Sequence, residues 1–554
     1  MFIKRQISNK NMRYSKIEEI KNIPGRLWIL LAIIILGTFL RTYHFRDWLA
    51  FNPDQARDAN VVSRAIEGKD PLPLLGPIAG GTNFKLGPMV YYFQYGAALV
   101  FGNRPEVMAF PDLFFSILTI PLFYYFLKKY FSSGLALAMT ALASVSYFMV
   151  VNSRFASNPN SIPFFILLFL IGFLGLMENN KKISWAILVG LAVGVGVQLH
   201  TLLLLIMPIM TALCLGYLWK KKLFSWKMLF WIVIMVLILN AGQIIHEMKT
   251  KGSNIREFII STQKRSGAQR NIVANGYTIG LCTIVTNVNL LSSLAAGENC
   301  KNIADFQRVK RFSLTKWLAK NGNLLLTLIL YLLFSVAGYV LLVLRFRKET
   351  NIQKKRFLGI ILLFASVSFL VFVPVAGEIY SRYFIITSLV PFVLLGIIAE
   401  ELLRLRNAWI KNAILLVFVA LVALNGAAEA KSAQQFFAKN INDSQNSVLG
   451  ETEPMAEYLI ANANGSKTIY LTGKKDYVRR YLKPLGYFLE RSGIELKDPE
   501  MEIGQLDPSA PVFFVVKSEN GKYGIGGNLD QYEIKQLKVF HNITIIIPND
   551  YAVD

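Results

Sequence analysis

The sequence predicts a polytopic α-helical membrane protein that ends in a small α/β domain. Three observations carry this expectation. Hydrophobic residues make up 54% of the 554 residues, with a mean hydropathy of +0.42, above the roughly 45–50% of soluble domains. The excess is gathered into runs near the ~20-residue length that crosses a bilayer core. After about residue 427 the pattern changes: Lys467–Thr472, Pro511–Val516 and Ile543–Ile547 read as strands, and Thr452–Ile460 and Lys475–Glu490 as helices. The expected division is a transmembrane domain over 1–426 and an extracytoplasmic α/β domain over 427–554.

Apolar runs fall at about 26–45, 107–127, 135–152, 161–177, 183–198, 201–218, 228–245, 322–345, 356–375, 384–403 and 409–426, which gives eleven expected spans. The basic segment before the first run is long, and no small-residue cleavage site follows it, so the first helix reads as an anchor. The stretch Pro88–Phe101 is apolar but short, with Tyr91, Tyr92, Phe93 and Tyr95 clustered. Charge decides its place. If it lies along the interface, Lys128-Lys129, Lys181-Lys182, Lys220-Lys221-Lys222, Arg345–Arg356 and Arg404–Lys411 share a side with the basic N-terminus. That is the positive-inside arrangement. It puts the N-terminus in the cytoplasm and the C-terminal domain outside, with large outer segments over 46–106 and 246–320.

The same rule accounts for the net charge of +24. Basic clusters in short loops argue against a nucleic-acid role, which needs them on one face of a domain. Of three cysteines, Cys214 sits in an apolar run and reads as packing; a disulfide between Cys282 and Cys300 in the second large loop is compatible with the sequence. There is no Walker-type loop, no HExxH and no CxxC pair. Gly190, Gly194 and Gly196 lie within a span and read as helix packing. The sequons at Asn464 and Asn542 are weak signals.

Candidate chemistry begins at Asn52-Pro53-Asp54. Asn is a good N-cap and Pro is favoured at the first helical position, so a helix starts here. Asp54 falls in its first turn, where the helix dipole favours a carboxylate, and Asp58 lies four residues on, on the same face. An ionised Asp54 can accept a proton from an attacking hydroxyl; the plainer alternative is a charge that complements a helix end. Further polar groups fall at the outer ends of spans: Lys85, Arg154 and Asn158, Gln198 and His200, then Glu378, Arg382 and Tyr383. Each has a structural explanation by itself, such as snorkelling for Lys85 or helix capping for Arg382. Together they face one expected cavity, in which Lys and Arg hold a phosphate leaving group while a carboxylate serves as base.

These residues resemble the bacterial C-type membrane glycosyltransferases related to protein O-mannosyltransferases and the lipid A aminoarabinose transferase (glycosyltransferase family 39-like), over most of about 26–426. The shared pieces are the Asp of the first outer loop, Lys85-x-x-Pro88 with its aromatic interfacial helix, Ser153-Arg154, and Tyr380-x-Arg382-Tyr383-Phe384. The resemblance implies a C-type glycosyltransferase fold with an outer-face site, a polyprenyl-phosphate-sugar donor and an inverting transfer. It places Asp54 at the family's catalytic acidic position, and Lys85 and Arg382 where the family contacts donor phosphate. Two departures stand out. Gln55 follows Asp54 where the family often has Glu, and Asn158-Pro159-Asn160 stands where an Asp is common. Neutral amides are poorer ligands for a hard divalent cation, so no metal ligand is assigned and metal dependence stays open.

The reading is a plasma-membrane glycosyltransferase of the cell envelope. Asp54 is the base, with Asp58 and Arg57 beside it. Lys85, Arg154 and Arg382 hold phosphate, and Asn158, His200, Glu378 and Tyr383 line the donor cavity. The expected partners are the lipid-linked donor, a lipid, glycan or protein acceptor, and membrane lipids. A transporter or flippase of lipid-linked sugars is the alternative, although it would place polar groups near the bilayer midplane. A third possibility is a wall-assembly protein that binds glycolipid through its outer domain.

Overall fold

The structure is a computed structural model. It describes residues 23–267, 271–294, 314–437 and 447–500, and parts of 507–549. The side chains of 314–328 and of a few other positions lie outside the described residues. The helices are α1 (Ile23–Thr42), α2 (Pro53–Ile66), α3 (Met89–Phe101), α4 (Phe110–Leu127), α5 (Ser133–Val145), α6 (Tyr147–Val151), α7 (Ile162–Glu178), α8 (Ile183–Leu199), α9 (Leu203–Lys220), α10 (Trp226–Leu239), α11 (Ala241–Thr250), α12 (Ser253–Gly267), α13 (Ile272–Ser292), α14 (Leu314–Lys348), α15 (Ile352–Phe372), α16 (Val390–Leu403), α17 (Ala408–Phe437), α18 (Leu449–Ala461) and α19 (Lys475–Arg491).

Each of the eleven apolar runs coincides with a helix. Among the described residues, seven helical segments are long and apolar enough to cross a membrane, or nine if each of two bent pairs is one span. The bends are 65° between α10 and α11, and 59° between the 3-10 turn Ser381–Thr387 and α16. The helices α5 and α8 are apolar but shorter. The chain is thus a multi-pass membrane protein; the two shorter helices and the two bent pairs are the runs whose crossing is not decided by length and composition. The bundle core is rich in aromatics: Phe126, Tyr130 and Phe131 pack around Phe357. Glycines on α8 let α10 approach: a Cβ on Gly190 would meet Met235 Cβ at 2.7 Å, and one on Gly194 would meet Leu239 Cδ1 at 2.9 Å. That is the packing expected of small residues in a membrane helix.

The described part of the stretch 246–320, expected as an outer segment, is helical. It carries α12 and then α13, whose Ile279, Cys282 and Val285 are buried in the bundle. Three buried apolar residues at a helical spacing need such a wall. Cys282 is disulfide-bonded and Cys214 is a buried free thiol; Cys300 lies outside the described residues.

The C-terminal domain is a mixed sheet of order β2-β1-β3-β6-β5, with β4 paired to β3. Its strands are β1 (Thr468–Gly473), β2 (Glu495–Lys497), β3 (Val512–Glu519), β4 (Lys522–Tyr523), β5 (Ile534–Phe540) and β6 (Ile543–Pro548). β1 runs parallel to β2 and β3; β6 runs antiparallel to β3 and β5. Ile469, Leu471, Phe513, Val515, Ile543 and Ile545 form one apolar face. On it pack α18, through Met455 and Leu459, and α19, through Val478, Tyr481 and Leu485. The three strands and two helices read from the sequence are present; β2, β4 and β5 are additional. In this core the Tyr481 hydroxyl donates to Glu451 Oε2 at 2.9 Å. Burial pushes the Glu451 carboxyl up to about 7, against the Tyr481 hydroxyl and Arg480. A carboxyl raised on folding stabilises the fold fully below the ordinary Glu range and loses that contribution as pH rises through 7. The loss approaches about 3 kcal/mol between pH 4.5 and 8. Glu451→Gln is expected to flatten this slope, measured as the melting temperature of the purified protein across that range.

Candidate active site

The site is built from α2 outward. Asn52 precedes the helix; its backbone N–H donates to Gln55 Oε1 at 3.2 Å, and Pro53 occupies the first turn. Ala56, Asp58, Ala59, Val62 and Ser63 form the buried face, the i, i+3, i+4 stripe of an amphipathic helix. Asp54 and Asp58 share a face, as the spacing predicts, and Arg57 joins them. Its Nη1 lies 2.9 Å from Asp54 Oδ1, and its Nε 2.9 Å from Asp58 Oδ1. The Tyr91 hydroxyl of α3 also donates to Asp58 Oδ1 at 2.9 Å. Burial pushes the Asp58 carboxyl above its usual range, against the Arg57 and Tyr91 donors that favour the charged form. The side chain of Asp54 remains 76% exposed. The two carboxylates therefore differ: Asp58 is fixed by donors, and Asp54 faces open space.

The C-terminal domain holds α2. Ala50 and Val448 form an antiparallel bridge, and Phe51 N donates to Ser447 O at 2.8 Å. Ser447 Oγ donates to Phe51 O at 2.8 Å, and Ser447 N to Asn52 Oδ1 at 3.0 Å. Along α19, Glu490 accepts from Asn60 at 2.9 Å and from Arg64 at 2.8 Å. Arg491 donates to Ser63 Oγ at 2.8 Å, and Tyr487 packs edge-on to Phe51 with ring centroids 5.4 Å apart. A Cβ on Gly450 would fall 2.7 Å from Asp47 O, so the two segments meet without space for a side chain there.

In front of α2 lies a cavity of about 820 Å³. Eight of the ten predicted residues line it: Asp54, Arg57, Asp58, Arg154, Asn158, His200, Arg382 and Tyr383. His200 closes α8; its Nδ1 accepts from Leu202 N at 3.1 Å, which puts the proton of a neutral ring on Nε2. The ring stands edge-on to Tyr383 at 4.9 Å, and the Arg382 guanidinium lies over Tyr380 and Tyr383. An Arg held flat on aromatic faces keeps its edge N–H groups for a ligand.

Three predicted residues stand differently. Lys85 is exposed and does not line the cavity; its backbone N–H and carbonyl are fixed by the buried Asn254 side chain at 2.8 and 3.0 Å. Its loop reaches the cavity instead through Pro77, Ile78, Ala79 and Gly80. Glu378 ends the 3-10 turn Val373–Glu378, and its side chain lies outside the described residues. Arg154 lines the cavity but its N–H groups serve the fold. They donate to Leu40 O at 2.8 Å and Tyr43 O at 2.5 Å, the open carbonyls at the end of α1. Its guanidinium also lies 4.8 Å from the Trp48 ring centroid, and burial lowers its pKa. Arg154 thus caps α1 from the cavity wall.

The structure adds residues that the sequence reading missed. Asp112, buried on α4, accepts from Ser157 N at 3.0 Å and Ser161 Oγ at 2.5 Å, and so fixes the turn that carries Asn158. Gln198, already singled out in the sequence, donates to Gly194 O and Leu239 O and accepts from Met89 N, which ties α8 to α3 and α10. From α17, Glu429, Ser432, Gln435 and Phe436 form a further wall. Glu429 and Asp112 were each a lone carboxylate in or beside an apolar run, which was the available signal. Among the described residues no group of three His, Cys, Asp or Glu side chains could hold a metal ion.

The chain folds as an apolar helical bundle joined to a small mixed α/β sheet. Residues 85–246 match the family model described as dolichyl-phosphate-mannose-protein mannosyltransferase, which bears out the resemblance read from the sequence. Solved structures similar to the chain include ArnT from Cupriavidus metallidurans bound to undecaprenyl phosphate (TM-score 0.46, 12% identity, 95% of this chain and 97% of that one). They also include the Archaeoglobus fulgidus oligosaccharyltransferase in its apo form (TM-score 0.45, 15% identity, 86% of this chain). The chain spans 65% of the length of that oligosaccharyltransferase. No curated protein matches the chain.

Proposed function

We propose that the protein is an integral membrane glycosyltransferase that moves a sugar from a polyprenyl-phosphate donor to an acceptor hydroxyl, with inversion, on the outer face of the plasma membrane. The observation that carries this reading is the cavity itself. An exposed carboxylate, Asp54, and a stacked cation, Arg382, line one space at the end of a membrane bundle.

The chemistry follows from their charges. Asp54 takes the proton of the acceptor hydroxyl as its oxygen attacks the anomeric carbon. The bond from that carbon to the phosphate oxygen breaks, and the electron pair leaves with polyprenyl phosphate. Arg382 and the Nε2–H of His200 face the growing negative charge. Arg57 and Asp58 position Asp54. Tyr383 orients Arg382 and His200, and Asn158 lines the wall where the donor rests. Gathering the reactants in one bordered cavity contributes orientation. The lipid tail enters from the bilayer, and the acceptor from the side of the C-terminal domain.

The test is incubation of purified protein with a panel of polyprenyl-phosphate hexoses and pentoses plus candidate acceptors, with detection of freed polyprenyl phosphate. Release dependent on an acceptor supports the reading. A panel without any release, from protein that binds the donors, removes it. Arg382→Gln is expected to weaken donor binding by about 10–100-fold, the loss of a charge-assisted hydrogen bond of roughly 1.5–3 kcal/mol. Titration with undecaprenyl phosphate measures this directly.

A further inference from the structure

We propose that the α17 wall of the cavity is the sugar-ring subsite, and that Glu429 accepts hydrogen bonds from ring hydroxyls of the donor. This deepens the glycosyltransferase reading and rests on it. Three carboxylates line the cavity: Asp54, Asp58 and Glu429. Asp58 is held through Oδ1 by Arg57 and Tyr91, and Asp54 is on the same helix, α2, whereas Glu429 is on α17. Glu429 is half-buried, and its Oε1 is shielded from solvent without a hydrogen-bond partner in the structure.

Its surroundings explain why it tolerates that state. Arg154 and Arg41 act on it electrostatically and offset part of the cost of its burial. Their N–H groups are directed elsewhere: Arg41 donates to Ser116 Oγ, Gly37 O and Ser144 O, and Arg154 to carbonyls at the end of α1. Glu429 Oε1 therefore sits under the influence of two cations without receiving a hydrogen bond. A carboxylate in that state favours neutral O–H donors over a third cation. A polyhydroxylated ring supplies them, two from adjacent carbons onto one carboxylate.

The wall is rigid and otherwise polar. Asn425, one turn earlier on α17, donates to Leu291 O at 2.7 Å and accepts from Tyr147 N at 2.9 Å and Ser293 Oγ at 2.7 Å. One turn later, Ser432 Oγ accepts from the Tyr147 hydroxyl at 3.2 Å. Ser432 and Gln435 line the same wall, and Phe436 closes it against Trp48 at 5.3 Å. The cavity is thus divided: the cation at Arg382 suits the phosphate, and the α17 face presents acceptors to hydroxyls.

The experiment compares binding of bare undecaprenyl phosphate with a panel of undecaprenyl-phosphate hexoses and pentoses, using the full-length protein and Glu429→Gln. The wild type should bind one sugar-bearing donor more tightly than the bare lipid phosphate. Glu429→Gln should hold the bare lipid within about twofold and lose that donor preference by about tenfold or more, the scale of a charged hydrogen bond. Gln435→Ala, whose side chain has no part in the Arg41 and Arg154 cluster, should lower the same preference, which separates recognition from folding. Equal weakening of both ligands by Glu429→Gln, or an unchanged preference, overturns the inference. So does a wild type with no preference for any sugar-bearing donor. A wild type that binds the sugar donors with the expected preference yet never transfers the sugar would sink the transferase reading and leave this subsite standing.

Discussion

Asp54→Asn should abolish sugar transfer, lowering the turnover of acceptor-dependent polyprenyl phosphate release by about 10²–10⁴-fold, the usual contribution of a general base. The amide has nearly the shape of the carboxylate but does not accept the acceptor's proton. Little else should change. Asp54 is largely exposed, and its described polar contact is the i, i+3 pair with Arg57, an interaction of at most about 1 kcal/mol at a surface. Donor affinity and membrane insertion should therefore stay at wild-type levels. Asp58→Asn is a different perturbation. Its carboxylate is buried under Arg57 and Tyr91, so that variant acts on the placement of α2 and, through Arg57, on Asp54. Full release activity in Asp54→Asn would take Asp54 out of the chemistry.

Removal of residues 447–554 should also eliminate transfer, rather than only change the choice of acceptor. The segment 49–52 pairs with 447–449 through backbone hydrogen bonds. Without them the N-terminal approach to α2 loses its partner strand and exposes polar backbone groups. The α19 face supplies Glu490, Arg491 and Tyr487 to the other side of α2. A milder variant isolates the effect. Tyr487 is buried at 3% exposure, and Tyr487→Ala should cost on the order of 3–5 kcal/mol at this interface, as for other large buried aromatics. The expected signature is a fall in turnover with the ranking of acceptors preserved. It is measured by comparing rates across several acceptors in the truncated, Tyr487→Ala and wild-type proteins. Substantial activity with an altered ranking in the truncated chain would show that the domain selects acceptors without holding α2.

Much of the site was legible because its residues sit at chain features that sequence displays. Asp54 follows an N-cap and a proline, His200 falls between two apolar runs, and Arg382 and Tyr383 precede another. Those signals are local, and the fold kept them together in one cavity. What escaped depends on contacts across the chain. The pairing of Ala50 with Val448 joins residues almost four hundred positions apart, and no local periodicity encodes it. Arg154 looked like a ligand for phosphate because a cation at the end of a span is ambiguous. Only the position of the α1 carbonyls shows where its donors go. Lys85 carried the right chemistry in the right loop, but Asn254 fixes its backbone and its side chain does not join the cavity wall. The bundle was read from hydropathy, which finds apolar runs but not bends. The 65° and 59° breaks and the burial of α13 against the bundle were therefore not visible in the runs.

The most direct test is the location of the lipid phosphate in an experimentally determined structure of the protein with undecaprenyl phosphate. The account predicts its phosphate in the cavity between α2 and the 3-10 turn Ser381–Thr387, with oxygens against the Arg382 guanidinium and Asp54 across from it. A phosphate lodged outside that cavity, with Arg382 still stacked on Tyr380 and Tyr383 and touching nothing, would contradict it.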